Sequence, residues 1–326
     1  MAFKSAFAIA AVLASLAQQA GAQTYPDHPI RLVVPTGPGG ASDIVSRIIA
    51  EKIQVSLRQP VIVENRPGAN GNVGAAYVLS QPADGYTLMM GHIGLMTINS
   101  HLYKDMTFKP LAEFVPVIRT TSYANLLIVN NNLPVRSTKE LIEYAKNRPT
   151  PLTYSSAGVG GSLHMGFEML KADAGIKAQH VPYTATAKAL MSVVSGETDA
   201  MFADILVAAS QVNSNMVRAL AISSKQRSAL MRNLPAVSES GIPGLAEFDV
   251  SGWNGIVVKA GTPPDRIKLL SEHIRRALDA PDVAERIAKL GAEVALSSTS
   301  EEFGAFMRAE DKKWGDLVKK ADIKIE

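Results

Sequence analysis

The chain has 326 residues, 47% of them hydrophobic, a mean hydropathy of +0.08, a formal charge of +3 and no cysteine. That is enough apolar sequence for one large domain or two smaller ones. Lysines and arginines alternate with acids along the whole length, which argues against the basic stripe of a nucleic-acid binder, and the missing cysteines exclude a disulfide framework.

Residues 1–22 read as an export signal: Lys4 in a short basic start, the apolar run "SAFAIAAVLASLAQQ", then the small residues of "AGA" at Ala20 to Ala22. The run is too short and alanine-rich for a membrane span, and no later segment offers 18 consecutive apolar residues. Cleavage near Ala22 removes only Lys4 among charged residues, so the charge falls from +3 to near +2. A soluble protein of a bacterial periplasm, without a lipid-bearing cysteine, is the expectation.

Strand-like runs then alternate with helical patterns. "IRLVV" (30–34) leads through "PTGPGGASD" into a helix over 43–57, where Ile44, Ile48, Ile49, Ile53 and Leu57 recur at helical spacing. "VIVEN" (61–65) is followed by the turn-rich "ENRP" and by "GANGNVG" (68–74), which is expected to shape the rim of a cleft. "YTLMM" (86–90) and "NLLIVN" (125–130) are further strands, and Ser137 with Glu140 forms a capping box opening "LIEYAKN". "LTYSS" (152–156), "QHVPY" (179–183), "DAMFA" (199–203) and "VRALAI" (217–222) follow. Beyond "FDVSGWNGIVVKAGTPP" (248–264) the chain reads as nearly all helical.

This order predicts an α/β fold with largely parallel sheets, divided into two lobes. Residues 23–122 and 251–326 would form lobe 1 and residues 123–250 lobe 2, with the chain crossing twice, near "VIRTTSYANLLIVN" and "FDVSGWNGIVV". Ligands of such folds sit at the carboxyl ends of strands, here a cleft between the lobes.

Two glycine elbows would line it. In "PTGPGGASD", Gly39 and Gly40 allow close backbone approach, and Ser42 or Asp43 can cap the next helix. In "SSAGVGGSLHMG" (155–166) the same strand-glycine-helix design carries more hydroxyls. Neither contains Lys or Arg, yet free N–H groups at a helix start hold an anion without a cationic side chain. A phosphate loop is excluded because G-x-x-x-x-G-K-[ST] is absent, and "GPGGAS" does not satisfy a dinucleotide fingerprint.

Single residues leave alternatives open. His164 breaks the G-x-S-x-G spacing of a nucleophile elbow; it is either a hydrogen-bonding residue at a helix start or, with Ser162, the base of a periplasmic hydrolase. The six histidines include no H-E-x-x-H and no i, i+4 pair, so no metal site is expected. Asp204 either caps a helix or faces a ligand. His92, ending a strand, is placed to face the cleft, and Trp253 reads as interlobe core.

With these blocks in order, joined by "YPDHPIRLVVPTGPGGASDIVSRIIAEKI", "QPVIVENRPGANGNVGA", "PADGYTLMMGHIG", "INSHLY", "YSSAGVGGSLHMGFEML", "HVPYTATAKALMSVVSGETDAMFAD", "VRALAISSKQRS", "LPAVSESGIPG" and "GTPPDRIKLL", the mature chain resembles the Bug family, the periplasmic solute receptors of tripartite tricarboxylate transporters. The resemblance implies a type II periplasmic-binding-protein fold that closes on a small organic acid, no enzymatic activity and no cofactor. It implies a monomer whose partners are that acid and the transporter's membrane subunits, or a sensor kinase in their place, with no nucleic acid. The ligand carboxylate would be held by Gly39, Gly40 and Ala41 of the first loop and Ser156, Ala157, Gly158 and Ser162 of the second, with Thr36, His92, His164 and Asp204 beside them. Three departures stand out, of which the first and last bear on pocket shape. Thr36 and Gly37 replace the family's usual entry to the first elbow, Thr184 stands for a frequent lysine, and Leu206 stands where a proline is common after Asp204.

Overall fold

The structure, a computed structural model, describes residues 25–323. The expected export signal at 1–22 lies outside the described residues.

Strands β1 (Ile30–Val34), β2 (Val61–Asn65) and β3 (Thr87–His92) are parallel, with β1 in the middle. Helix α1 (Ala41–Leu57) lays Val45, Ile48, Ile49, Ile53 and Leu57 on this sheet, the apolar stripe its period requires. It starts two residues earlier than the apolar period alone indicates, because Gly40 in extended conformation already serves as its N-cap. Helix α2 (Asn72–Ser80) follows β2. Strand β3 runs into a π-helical turn, Gly94–Ile98, continued by α3 (Asn99–Leu102), and α4 (Pro110–Glu113) precedes the next strand.

That strand, β4 (Phe114–Asn130), is 17 residues long and belongs to two sheets. Its first half pairs antiparallel with β9 (Ser251–Lys259), from Phe114 opposite Lys259 to Ala124 opposite Ser251. Its second half pairs antiparallel with β7 (Ala200–Asp204) and β8 (Val217–Ile222). Around these lie α5 (Thr138–Asn147), β5 (Leu152–Ser156), α6 (Ser162–Ala174), β6 (Ala178–Pro182), α7 (Thr186–Ser195) and α8 (Ile205–Asn213), with β5 parallel to both β6 and β7. The helix at 138 is capped by Ser137 Oγ, which accepts from the Glu140 amide at 3.1 Å. Glu140 in turn accepts from the Arg136 amide, one residue outside the expected box.

Strand β9 returns antiparallel between β3 and β4. Then come α9 (Pro264–Leu278), α10 (Pro281–Ala288), β10 (Glu293–Val294) and α11 (Ser300–Lys320). The two-residue β10 pairs with Thr121 and Ser122; it is too short to carry a period of its own, so the tail reads as helical throughout.

The result is two α/β lobes around a cleft, joined by the adjacent crossings β4 and β9. One apolar cluster lies between the first sheet and α1, α9 and α10; the other fills the second lobe and continues beneath α11. Trp253, fully buried on β9, donates its indole N–H to Glu310 of α11, as does Trp314, so it is core. At its far end α11 reaches α6, where Lys320 pairs with Asp173 at 3.0 Å.

Candidate functional site

The carboxyl ends of β1, β3, β5 and β7 converge on a cavity of about 230 Å³ that opens into a wider mouth of about 550 Å³. Thr36 and Ser42 line it from the β1–α1 elbow, and Gly37 to Ala41 line the mouth. The first intrahelical bond of α1 runs from the Ile44 amide to Gly40 O, so the amides of Ala41, Ser42 and Asp43 have no acceptor within the helix. The Gly39 amide is not free. It donates to Asp43 Oδ2 at 2.9 Å, and Gly40, the N-cap, makes no side-chain cap bond. Neither Ser42 nor Asp43 is therefore the cap: Ser42 Oγ donates to Asn254 Oδ1 on β9, and Asp43 ties the loop to Asn65 and Arg47.

The β5–α6 elbow mirrors this one. Ala157, Gly158, Gly161 and Ser162 line the cavity, and the first intrahelical bond of α6, Met165 to Gly161, leaves the amides of Ser162, Leu163 and His164 without a helical partner. The loop comes close to the first lobe: a Cβ at Gly160 would stand 3.2 Å from Leu102 Cδ1 and 3.5 Å from Asn70 Nδ2.

Ser156 and His164 lie beneath this loop, outside the cavity lining. Ser156 Oγ donates to Gly158 O at 2.8 Å and sits 2.7 Å from His180 Nε2, while His164 Nδ1 accepts from the Gly160 amide at 3.3 Å. The His164 and His180 rings are 4.2 Å apart and stack against Tyr154. Burial, with repulsion from His180 and Lys171, pushes His164 down to about 3, and burial takes His180 down to about 4, so both are neutral near pH 7. No hydrogen bond joins Ser162 to His164 among the described residues; Ser162 and Tyr123 both line the cavity.

A third elbow, at the end of β3, adds His92, Ile93 and Gly94. His92 is 8% exposed, and burial lowers its pKa to about 4. Its Nδ1 accepts from the Leu95 amide at 3.3 Å, so the ring proton is on Nε2, which has no partner. Thr36 Oγ1 is likewise buried without a partner. Asp204 lies at the N-cap position of α8 but makes no cap bond; it lines both cavity and mouth. Burial raises its pKa, opposed by a long hydrogen bond from Thr186 Oγ1 at 3.4 Å.

Sequence reasoning did not single out Asn70, Tyr123 or Gly94. Asn70 is held by a side-chain network with Asn99 and Asn72, and Tyr123 enters from the crossing strand β4. Only the glycine-rich "GANGNVG" signalled Asn70. The described residues contain no group of three or more His, Cys, Asp or Glu able to hold a metal ion, and no helix among them is long and apolar enough to cross a membrane. Thr184 and Leu206, two of the family departures, both line the mouth.

Comparison with known proteins places this geometry in company. A family model described as "Tripartite tricarboxylate transporter family receptor" matches residues 45–323. Protein BugT of Bordetella pertussis is 31% identical over 314 residues, covering 96% of this chain and 95% of its own. R. palustris Rpa4515, solved with adipate, superposes with a TM-score of 0.82 at 29% identity over 92% of this chain and 100% of that one. MatC from Rhodopseudomonas palustris, solved with bound malate, gives 0.78 at 29% identity over 90% and 100%.

Proposed function

The chain belongs to the tripartite tricarboxylate transporter receptor family, and from that premise we propose that it is a periplasmic receptor that captures a small organic carboxylate between its lobes and delivers it to the membrane subunits of such a transporter. Lobe 1 comprises 23–122 and 251–326, and lobe 2 comprises 123–250. The observation that carries the reading is the meeting of two helix starts, α1 and α6, with unpaired amides on a cavity whose lining has no Lys or Arg among the described residues. Oriented N–H dipoles stabilise an anion once water is excluded, which favours the form with both lobes in contact with it.

Gly40, Ala41, Ala157, Gly158 and Ser162 are the proposed ligand contacts, with Thr36, His92 and Asp204 around them. Gly39, Ser156 and His164 act by holding the loops. The adipate and malate in the two related structures support a small carboxylate as the ligand class. The protein binds without chemistry.

A thermal-shift screen of the mature chain against a library of carboxylic acids tests this. A ligand at 100 times its Kd adds about 2.7 kcal/mol of apparent stability, and the acid should be recovered unaltered. Turnover of the acid or of its esters, lost in Ser162→Ala, would establish the hydrolase reading instead.

A further inference from the structure

The charge of the cavity is set by one side chain. Among the described residues lining cavity and mouth, Asp204 is the only acid, and no Lys or Arg faces it. It has no ion-pair partner, and the one hydrogen bond it receives, from Thr186, is long. Asp204 is half-buried at the cavity wall, and a carboxylate held there without a cation is stabilised when one arrives.

The opposite wall has the reverse character. The amides at the start of α1 have no acceptor within the helix, and behind them the Nε2 N–H of His92, enclosed beneath Gly71, is left without a partner. A ligand that satisfies both walls offers an acceptor to lobe 1 and a positively charged donor to lobe 2. A dicarboxylate would add two negative charges beside Asp204, whereas a zwitterion of the same length adds none.

We propose that the ligand is a small zwitterionic monocarboxylate, its carboxylate on the loop amides and its ammonium on Asp204. The proposal rests on the carboxylate-receptor reading above and narrows it, away from the dicarboxylates held by the two related structures.

The test is calorimetric titration of the mature protein with 4-aminobutyrate and glutarate, which share three methylenes and differ in one end group, alongside glutamate. 4-Aminobutyrate or another zwitterion found in the screen should bind more tightly than its dicarboxylate counterpart. Asp204→Asn should weaken that zwitterion by at least about thirtyfold, the lower range for removing one member of a buried charge pair, and should strengthen glutarate. Unliganded Asp204→Asn should melt no lower than the wild type, since it removes a charge that has no cation. If Asp204→Asn fails to fold, the wild-type comparison alone decides. A screen that yields only acids without an ammonium, or an unchanged ratio of zwitterion to glutarate in Asp204→Asn, overturns the proposal while leaving the carboxylate receptor standing. Binding of no acid at all would overturn both.

Discussion

Gly252 and Tyr123 face each other across the β9–β4 ladder at the crossing between lobes. A Cβ built on Gly252 would lie 2.0, 2.3 and 2.7 Å from three atoms of the Tyr123 ring. Carbon atoms in contact need about 3.5 Å, so Gly252→Ala must push the ring aside by roughly 1.5 Å. Overpacking of this kind costs about 1–3 kcal/mol. The expected loss is therefore about 1–3 kcal/mol in urea unfolding, accompanied by weaker ligand binding because Tyr123 lines the cavity. In a Tyr123→Ala background the obstacle is gone. There the same Gly252→Ala change should be neutral or stabilise by up to about 1 kcal/mol, since alanine is the better strand residue. A double-mutant cycle measures the coupling directly. An equal cost in both backgrounds would refute the reasoning.

Gly40→Val should cost only about 0.5–1 kcal/mol of unfolding free energy, since valine is a poorer N-cap than glycine but its Cβ would meet nothing nearer than Gly37 O at 3.8 Å, yet lower carboxylate affinity by at least about tenfold in titration; undiminished affinity would remove this loop from the site. Asp43 is 3% exposed; burial acts to raise its pKa, but hydrogen bonds from Arg47, the Gly39 amide and Asn65 outweigh it, so the folded value is depressed below 3.8. Its contribution is then complete above that ordinary value and lost as pH falls through the folded one. Asp43→Asn should accordingly cost about 1–3 kcal/mol at pH 7 and progressively less in acid, which urea midpoints at pH 7 and pH 3 would check.

The parts of the fold that were legible in the sequence are those whose burial leaves a compositional mark. β1, β2, β5 and β8 begin and end where expected; β1, β5 and β8 are covered by helices or neighbouring strands, whereas β2 lies at the sheet edge with Ile62 exposed and is marked by its β-branched residues instead. The first half of β4 was not legible. Its Arg119, Thr120, Thr121 and Ser122 fall in the stretch expected to cross between lobes but lack a strand's apolar alternation, although Thr120 and Thr121 are fully buried, with Thr120 Oγ1 bonded to Asn254 O. The two glycine elbows stood out by composition, whereas at the third only His92 was singled out, because the residues after it continue an apolar stretch that becomes a π-turn. No spacing rule announces that Asp43 turns back to cover the Gly39 amide, or that Ser156 and His164 face inward while their neighbours face the cavity. Those outcomes depend on where a loop's far end lands, which only the packed fold determines.

The two crossings described above are not separate tethers. β4 and β9 are hydrogen-bonded side by side up to Ala124 and Ser251, where β4 changes sheets. Two strands bonded edge to edge form a ribbon, which flexes across its face but resists shear and splaying within its plane. Relative motion of the two halves is thereby confined to something close to a single angle, and whatever fills the cavity can alter the exterior only through that angle. A protein that touches both halves at once thus has a geometric signal of occupancy available on the outside, without contact with the cargo. With no cysteine anywhere in the chain, a pair of introduced thiols carrying fluorophores, one on each half, would report the same angle to an observer.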